Sequence, residues 1–407
     1  MPQATNQRLA DKIIFSECHR QHSLPNLLTK GTDTMIEAYD GKKQTAADAP
    51  VVMVNDLAKT HGNNVSVTII HNLSQKPSMG IKKRDGYEES ITEANFELRI
   101  DQYHHSVKTP LMMEQQKVGY NKMELGRPLL TTYHGDLTDE VCLIHLAGAR
   151  GTYDEVDRIV PLETDADFAE IMVNPVTPPT FDRKGYCGGA ESIDGTGGLT
   201  AMDANDIFTV TDCRKFKEAF ETMPNPPKPV SLGSTIDKMG TDPLYLGLIT
   251  PKMWTTYEQN STEFQTQVSN ALKATSGFNH PLFKGDMFLK DNILWKKYTK
   301  VIGWQPGDTI KVCGADDAAS VHDETVPAGF NVERGIILGG QALAMAYGSV
   351  LPGGMANFLM DGEKFDQNAW WRQWMDWIMG LAKIRFKDKR GRLNDYGVFA
   401  FDAAVPL

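Results

Sequence analysis

Two segments of alternating polarity, separated by a long charged stretch, constrain this chain more than any other feature of its sequence. Residues 65–69 (VSVTI) and residues 96–100 (FELRI) each alternate apolar with polar side chains. An alternation of period two is typical of strands with one buried face. The intervening residues 72–94 are largely polar. Because a long two-stranded hairpin is marginally stable alone in water, the sequence predicts a protruding hairpin that needs a partner surface.

The charged tip of this predicted hairpin supplies the candidate intersubunit contacts. They are Lys82, Lys83, Arg84, Glu88 and Glu89.

Composition places the rest of the chain among globular proteins. The 407 residues exceed the usual size of one domain, so two or three sub-domains are expected. Hydrophobic residues make up 41% and charged residues 23%, enough to bury a sizeable core. The formal net charge of −10 argues against a dedicated nucleic-acid binder, because phosphate binding relies on lysine and arginine. A protein that only encloses nucleic acid is compatible with this charge.

The cysteines and the hydropathy pattern indicate a cytoplasmic protein. The five cysteines are scattered and form no C-x-x-C pair, which favours reduced thiols over disulfides or structural zinc. The polar N-terminus predicts no secretory signal. No stretch reaches the roughly 18 apolar residues of a membrane-spanning helix, so no membrane partner is expected.

Periodicity and turn residues divide the chain into further elements. Residues 111–150 are predicted to be helical, with Gly126 and Pro128 interrupting the first part. The other predicted elements are strands within 51–109, a helix near 204–223, short strands within 228–248, a helix over 251–274, a strand followed by a helix over 334–347, a helix over 368–381 and a hairpin over 383–404.

The predicted helix over 368–381 rests on a tryptophan stripe. Trp370, Trp374 and Trp377 are spaced i, i+4 and i+7, which is one face of a helix. An aromatic stripe at this spacing is usually packed in a core. The alternatives are burial against a neighbouring subunit and, with less support, stacking on a ligand.

Motifs that carry chemistry are weak, so no catalytic, cofactor-binding or metal site is assigned and no cofactor is expected. His104 and His105 are adjacent, and neighbouring residues of a strand point to opposite faces, so one metal ion is not easily shared. Asp316 and Asp317 could bind Mg²⁺ or act in acid–base catalysis, but such pairs are equally common on solvated turns.

A basic run near the C-terminus has two interpretations. It consists of Lys383, Arg385, Lys387, Lys389, Arg390 and Arg392. The phasing fits a strand–turn–strand with Gly391 near the turn. The favoured interpretation is a solvated hairpin face; the alternative is contact with packaged nucleic acid or with an acidic neighbour.

Several segments, in order, resemble the major capsid proteins of tailed bacteriophages. The most similar group is the family named after the coliphage N-four coat protein. The resembling segments are IDQYHHSVKTPL (100–111), LIHLAGARG (143–151), NPVTPP (174–179), YLGLITPKMW (245–254), NHPLFKG (279–285), RGIILGGQALAMAYG (334–348) and KIRFKDKRGRLNDYGV (383–398).

The resemblance implies an α+β fold, the Hong-Kong-ninety-seven-type phage coat fold. Its parts would be an N-terminal arm over 1–50, an extended hairpin loop over 51–109, a peripheral domain with a spine helix over 110–175, and an axial domain over 176–407 with strands returning to the peripheral domain.

The function implied is that of a non-enzymatic major capsid protein of the virion, assembled in the host bacterial cytoplasm. It would form hexamers and pentamers of an icosahedral head around double-stranded DNA, without sequence-specific binding. Portal, scaffolding and decoration proteins would be its partners. Two alternatives stay open at this point. One is a cytosolic metal-dependent hydrolase using His104, His105 and the Asp316-Asp317 pair; the other is a minor virion decoration protein.

Overall fold

The computed structural model describes most of the chain in separate stretches. They are residues 36–37, 43–44, 49–54, 62–70, 73, 75–80, 88–110, 122–153, 158–188, 198–223, 225–230, 244–261, 287–313, 320–350, 358–388 and 391–407. Several predictions concern residues outside these stretches. They are those for Lys82, Lys83, Arg84, the Asp316-Asp317 pair, Lys389, Arg390 and most of the arm.

The described residues form twenty strands and four α-helices. The strands are β1 (Ile36–Glu37), β2 (Lys43–Gln44), β3 (Val51–Val54), β4 (Asn64–Ile70), β5 (Glu93–Arg99), β6 (Asp101–Pro110), β7 (Lys184–Tyr186), β8 (Tyr245–Ile249), β9 (Met287–Lys290), β10 (Ile293–Lys297), β11 (Gly303–Trp304), β12 (Thr309–Cys313), β13 (Val321–Thr325), β14 (Asn331–Leu338), β15 (Leu343–Tyr347), β16 (Phe358–Phe365), β17 (Trp370–Lys383), β18 (Arg385–Lys387), β19 (Leu393–Asp395) and β20 (Val398–Val405). The helices are α1 (Lys122–Ala147), α2 (Ala166–Met172), α3 (Val210–Thr222) and α4 (Pro251–Asn260).

Two mixed sheets organise the described residues. The first sheet has the order β1-β2-β3-β15-β17-β16, and β6 also pairs with β17. The second sheet has the order β7-β20-β14-β8-β10-β9, with β11 paired to β14. Three two-stranded hairpins complete the β-structure: β4–β5, β12–β13 and β18–β19.

The first sheet is built around the 14-residue strand β17, and this overturns the predicted helix over 368–381. Antiparallel partners extend along it: β6 pairs from Asp101 to Pro110, and β16 pairs from Phe358 to Phe365. Aromatic residues have high strand propensity, and paired neighbours on both sides supply the backbone hydrogen bonds. The helical spacing of the tryptophans was therefore coincidental.

The predicted helix after residue 338 is also wrong. Strand β14 ends at Leu338 and a turn with Gln341 at φ 58° leads directly into β15. β15 lies between β3, which is parallel to it, and β17, which is antiparallel. All five of its residues are buried. A short apolar run without alternation is typical of such a central strand, and its length does not distinguish it from helix.

The long helix α1 confirms a helix within 111–150 but not its interruption. It runs unbroken for 26 residues, about 39 Å, with Pro128 inside its N-terminal part. Leu137, Val141 and Ile144 are buried, as the i, i+4, i+7 pattern predicts. A Cβ at Gly126 would lie 1.8 Å from Oε1 of Gln373 in β17, so a larger residue there would require that side chain to move.

Two other predicted helices are confirmed where the structure describes them. Helix α3 lies within the predicted 204–223. It begins with a capping box in which the Asp212 carboxylate accepts hydrogen bonds from the backbone N–H and the hydroxyl of Thr209. Helix α4 begins after Thr250, whose hydroxyl accepts from Met253 N; residues 262–274 of that prediction lie outside the described stretches.

The two alternating segments pair as predicted. Strands β4 and β5 are antiparallel, from Asn64 opposite Arg99 to Ile70 opposite Glu93. Their root packs on one face of the first sheet through a small apolar cluster. Its buried members are Val52, Val65, Leu98, Ile100, Ala344, Ala346, Ala382, Ile384 and Phe386.

Candidate assembly surfaces

The first candidate surface is the β4–β5 hairpin. Among its predicted contact residues, Glu88 is exposed, and Glu89 is half-buried and accepts a hydrogen bond from Gln75 N through Oε2 at 2.8 Å. The outward strand positions Glu93, Asn95 and Glu97 are exposed, whereas Leu98 is fully buried in the root cluster. The hairpin is thus anchored at its root. Further out, the described residues expose both charged side chains such as Glu88 and apolar ones, namely Leu73, Met79 and Ile91.

A groove of about 690 Å³ separates the hairpin from the C-terminal hairpin β18–β19. Glu89 and Glu93 line one side, and Arg385, Lys387 and Asp388 line the other. The groove is thus lined by acidic residues on the β5 side and by residues of both charges on the β18–β19 side.

The second candidate surface is the open face of β6, β16 and β17, on the side opposite helix α1. Its large side chains form a ladder of cations and aromatic rings. Lys108 Nζ lies 4.0 Å from the Trp370 ring centroid and 5.1 Å from that of Phe365. The Arg372 guanidinium lies 5.2 Å from Phe365 and 5.8 Å from Trp374. Cations over aromatic faces are mutually attractive, which holds this half-exposed surface in one arrangement.

The three predicted tryptophans divide between the two faces of β17. Trp370 and Trp374 are half-buried on the open face. Trp377 faces α1, is 2% exposed, stacks on Tyr103 at 5.5 Å and meets the edge of His134 at 4.9 Å. Strand geometry sends even and odd positions to opposite faces, so the three side chains do not form one stripe.

The histidine pair is divided in the same way, as predicted. His104 lies on the open face, where its Nδ1 is 2.6 Å from Oδ1 of Asp376. His105 lies on the other face and stacks on Tyr133 of α1 at 3.8 Å. Burial, and secondarily His104, lowers the pKa of His105. Among the residues that the structure describes, no three His, Cys, Asp or Glu side chains are grouped so that they could hold a metal ion.

Two buried ionic clusters, which the sequence reasoning missed, tie the strands together. In the second sheet, Asp402 accepts from Nε and Nη2 of Arg334 at 2.7 and 2.9 Å and lies 3.3 Å from Lys184 Nζ. Burial alone would raise the pKa of Asp402, but Arg334 and Lys184 hold that pKa below its usual value. The available signal was a single aspartate in the otherwise apolar run VFAFDAAV.

The second cluster corrects the interpretation of the basic run. Lys383 Nζ and Arg385 Nε each lie 2.7 Å from Asp395, which is fully buried. Only the later part of the run matches a solvated hairpin: Lys387 is exposed, and Gly391 occupies the turn with φ 81°. Because both side chains are largely buried and paired to Asp395 inside the subunit, Lys383 and Arg385 are poorly available to bind nucleic acid.

A buried histidine gives this fold a testable pH dependence. His145, in the last turn of α1, is 2% exposed and its Nε2 lies 3.4 Å from the Met172 carbonyl oxygen. Burial lowers the pKa of His145 to about 4, against a weaker opposite effect of that carbonyl.

Acidification from pH 7 to pH 5 should therefore destabilise the subunit through His145. His145 has a pKa of about 6.5 in the unfolded chain. Between that pH and the lower pKa of the folded state, the unfolded chain binds a proton at His145 and the folded chain does not, so acidification favours unfolding. The expected loss is about 2 kcal/mol. Urea unfolding of the unassembled wild type and of His145→Gln at both pH values measures it. An equal pH dependence in the two proteins would contradict the assignment.

Two further findings describe the remaining chemistry. In the described part of the chain, no helix is both long and apolar enough to cross a membrane. Cys142, Cys187, Cys213 and Cys313 are buried free thiols. Burial raises the pKa of each.

The long helix, the two mixed sheets and the rooted hairpin together define a virus-shell fold, and solved structures match it over nearly the whole chain. The capsid of Ralstonia phage GP4 is 20% identical with a TM-score of 0.69, covering 93% of this chain and 94% of that one. The cyanophage Pam1 capsid is 15% identical with a TM-score of 0.61, covering 87% and 88%. The capsid of Helicobacter pylori bacteriophage KHP30 is 13% identical with a TM-score of 0.57, covering 95% and 98%.

The fold is thus the Hong-Kong-ninety-seven-type phage coat fold, of α+β class, as the resemblance implied. The chain belongs to the phage capsid protein family, whose model matches residues 4–407. It is a major capsid protein, a structural component of the phage head. No curated protein sequence matches the chain significantly.

Proposed function

We propose that this capsid protein assembles into hexamers and pentamers that close an icosahedral head around double-stranded DNA, and that it has no enzymatic activity. The observation that carries the proposal is the hairpin. Its root is buried in the subunit, whereas the outward positions of β5 are polar and exposed, and the apolar side chains of Leu73, Met79 and Ile91 are exposed beyond them. A two-stranded ribbon of this kind gains stability when it lies on another surface, and a neighbouring copy provides one.

The proposed division of the chain follows the resemblance. The arm covers 1–50, the extended hairpin 51–109, the peripheral domain with α1 as spine helix 110–175, and the axial domain 176–407. Strands β15, β16 and β17 belong to the last range by sequence and return to the sheet that carries α1.

Contacts between copies are proposed at two places. The hairpin contributes Lys82, Lys83, Arg84, Glu88 and Glu89, and the open face contributes Trp370 and Trp374. Half-exposed aromatic rings rimmed by charge, as on the open face, are enriched at protein interfaces.

The remaining partners are proposed from the family. The shell would be assembled in the host bacterial cytoplasm with portal, scaffolding and decoration proteins. It would enclose DNA without reading its sequence, which the net charge of −10 permits. Within the family, this chain is proposed to group with the coat proteins named after coliphage N-four.

Electron microscopy of the purified protein, expressed alone and with its scaffold, tests the proposal. Closed shells, or rings of five and six subunits, are expected. Compact monomers or small closed oligomers in both preparations would contradict it. A low copy number in purified virions would point instead to a minor head protein.

Charge reversal at the hairpin tip sharpens this test. Arg84→Glu should leave the subunit soluble but reduce the yield of closed shells at least about tenfold, since like charges placed at an interface are repelled. Particle yield is measured by sedimentation and microscopy. The matched control is Lys217→Glu on the surface of α3, which makes the same change in charge away from the hairpin. Equal yields from both variants would remove the hairpin tip from the interface.

A further inference from the structure

The hairpin leaves the first sheet through a junction of one residue. Strand β5 ends at Arg99 and pairs with β4, whereas β6 begins at Asp101 and pairs with β17. Ile100 alone separates the two strands, and its N–H donates to the Asn63 carbonyl at 2.9 Å. The direction of the whole hairpin is therefore decided by the backbone at Arg99 and Ile100.

One side chain holds this junction. Oδ1 of Asn174 accepts from Arg99 N at 3.0 Å, and Nδ2 of Asn174 donates to Arg99 O at 2.8 Å. The same Nδ2 also donates to Leu381 O in β17 at 3.0 Å. Asn174 is 6% exposed. It thus engages both backbone groups of the last hairpin residue and connects them to the central strand of the sheet.

The turn that presents Asn174 is strained. Val173 has φ 60° and ψ −53°, and the N–H of Asn174 donates to Met172 O at 2.6 Å. This geometry is a γ-turn of the rare form, and positive φ is unfavourable for a β-branched residue. Neighbouring groups hold the turn in place: Tyr103 Oη donates to Ile171 O at 2.7 Å, and His145 lies against Met172 O. Such strain persists only where the surroundings over-determine it, and it clusters at functional positions.

Strand β17 has a glycine, Gly380, where the junction lies against it. A Cβ on Gly380 would lie 2.0 Å from Arg99 O and 3.0 Å from the Ile100 Cα. Any other residue at 380 would push the junction away from β17. The close approach of Gly380 and the amide of Asn174 thus both act on the backbone of Arg99.

We propose that Asn174, presented by the strained turn at Val173 and opposed by Gly380, is a positioning residue that sets the angle at which the hairpin leaves the subunit. This inference rests on the proposed function, in which the hairpin contacts a neighbouring copy. The angle at the root decides where the distant tip lies, so it also decides which curvature the shell accepts. If the Asn174 side chain were only a buried amide with satisfied hydrogen bonds, no strained turn would be needed to present it.

Hydrogen exchange on the unassembled full-length subunit tests the positioning directly. Asn174→Ala removes all three bonds, and amides of residues 96–101 should then exchange at least about tenfold faster. Gly380→Ala keeps Asn174 but places a Cβ against Arg99 O, and it should also speed exchange of the amides of residues 96–101. The matched control is Tyr298→Phe, which removes a buried hydroxyl bonded to Arg334 O at 2.6 Å in the second sheet. It should leave exchange at 96–101 unchanged.

Electron microscopy of assembled particles provides the second measurement. Both junction variants should form shells of broader diameter distribution or open sheets, whereas Tyr298→Phe should form shells of wild-type diameter. Unchanged exchange at 96–101 in both junction variants would overturn the inference, and so would shells of wild-type yield and diameter. If Asn174→Ala does not fold, Gly380→Ala decides by the same measurements. Failure of the wild type to assemble would refute the proposed function instead. The exchange experiment would still test whether Asn174 positions the hairpin root.

Discussion

Replacing Asp402 by asparagine is expected to lower the free energy of unfolding by about 3–5 kcal/mol. The Asp402 carboxylate contacts both Arg334 and Lys184, and all three side chains are buried. The isosteric amide fills the same space but removes the negative charge that contacts both buried cations of the second sheet. The large effect arises from that uncompensated charge, since a complete buried ion pair contributes little net stability.

Urea unfolding of the unassembled subunit at pH 7 measures this effect. The control is Glu363→Gln, which breaks an ion pair with Arg372 on the open face, where both side chains are 47% exposed. An exposed pair of this kind is worth roughly 0–1 kcal/mol. A loss of less than about 1 kcal/mol for Asp402→Asn would show that the cluster is hydrated or rearranges.

Truncation of Trp377 to alanine should cost about 3–5 kcal/mol, the usual range for a buried aromatic side chain. Trp377 fills the space between β17 and α1 and contacts Tyr103 and His134. Trp370→Ala on the open face is the matched comparison. Because that ring is half-exposed and covered mainly by Lys108, its loss should cost about 1 kcal/mol or less.

The contrast between the two tryptophans also distinguishes strand from helix. On a helix, the i, i+4, i+7 spacing would place both rings on one face, and both truncations would have similar effects. On β17 they lie on opposite faces. Denaturant midpoints of the two variants give the comparison directly, and similar losses would contradict the strand assignment.

Local sequence patterns predicted those elements that have one polar face and one apolar face. Alternation identified β4 and β5, because one face of each is polar. The i, i+4, i+7 pattern at Leu137, Val141 and Ile144 identified α1, which is apolar towards the sheets. In both cases the environment changes with the period of the backbone, so the period can be read from the residues.

The same reasoning failed where both faces of an element carry apolar side chains. β15 is buried along its whole length, so its residues carry no alternation. In β17, tryptophans occur on both faces because α1 covers one face and the cation–aromatic ladder forms on the other. Because β17 shows no polar–apolar alternation, the chance helical spacing of its tryptophans led to the prediction of a helix.

Candidate contact residues were only partly accessible to sequence reasoning. Charge along the hairpin was visible as a run of polar residues. The roles of Lys383 and Arg385 were not, because Asp395 is brought beside them by the β18–β19 turn and Thr180 joins from another part of the chain.

The sequence alone determined the alternating hairpin, the long helix and, through several ordered segments, membership in the coat-protein class. These features depend on residues close together in the chain or on the order of segments along it. The tertiary structure alone decided that β17 is a strand, that Asp402 and Asp395 neutralise buried cations, and that Asn174 holds the hairpin junction. Each of these depends on partners far apart in sequence, such as Asn174 with Arg99 and Leu381. A hydrogen bond or ion pair stabilises only when both partners are placed, and the fold places them.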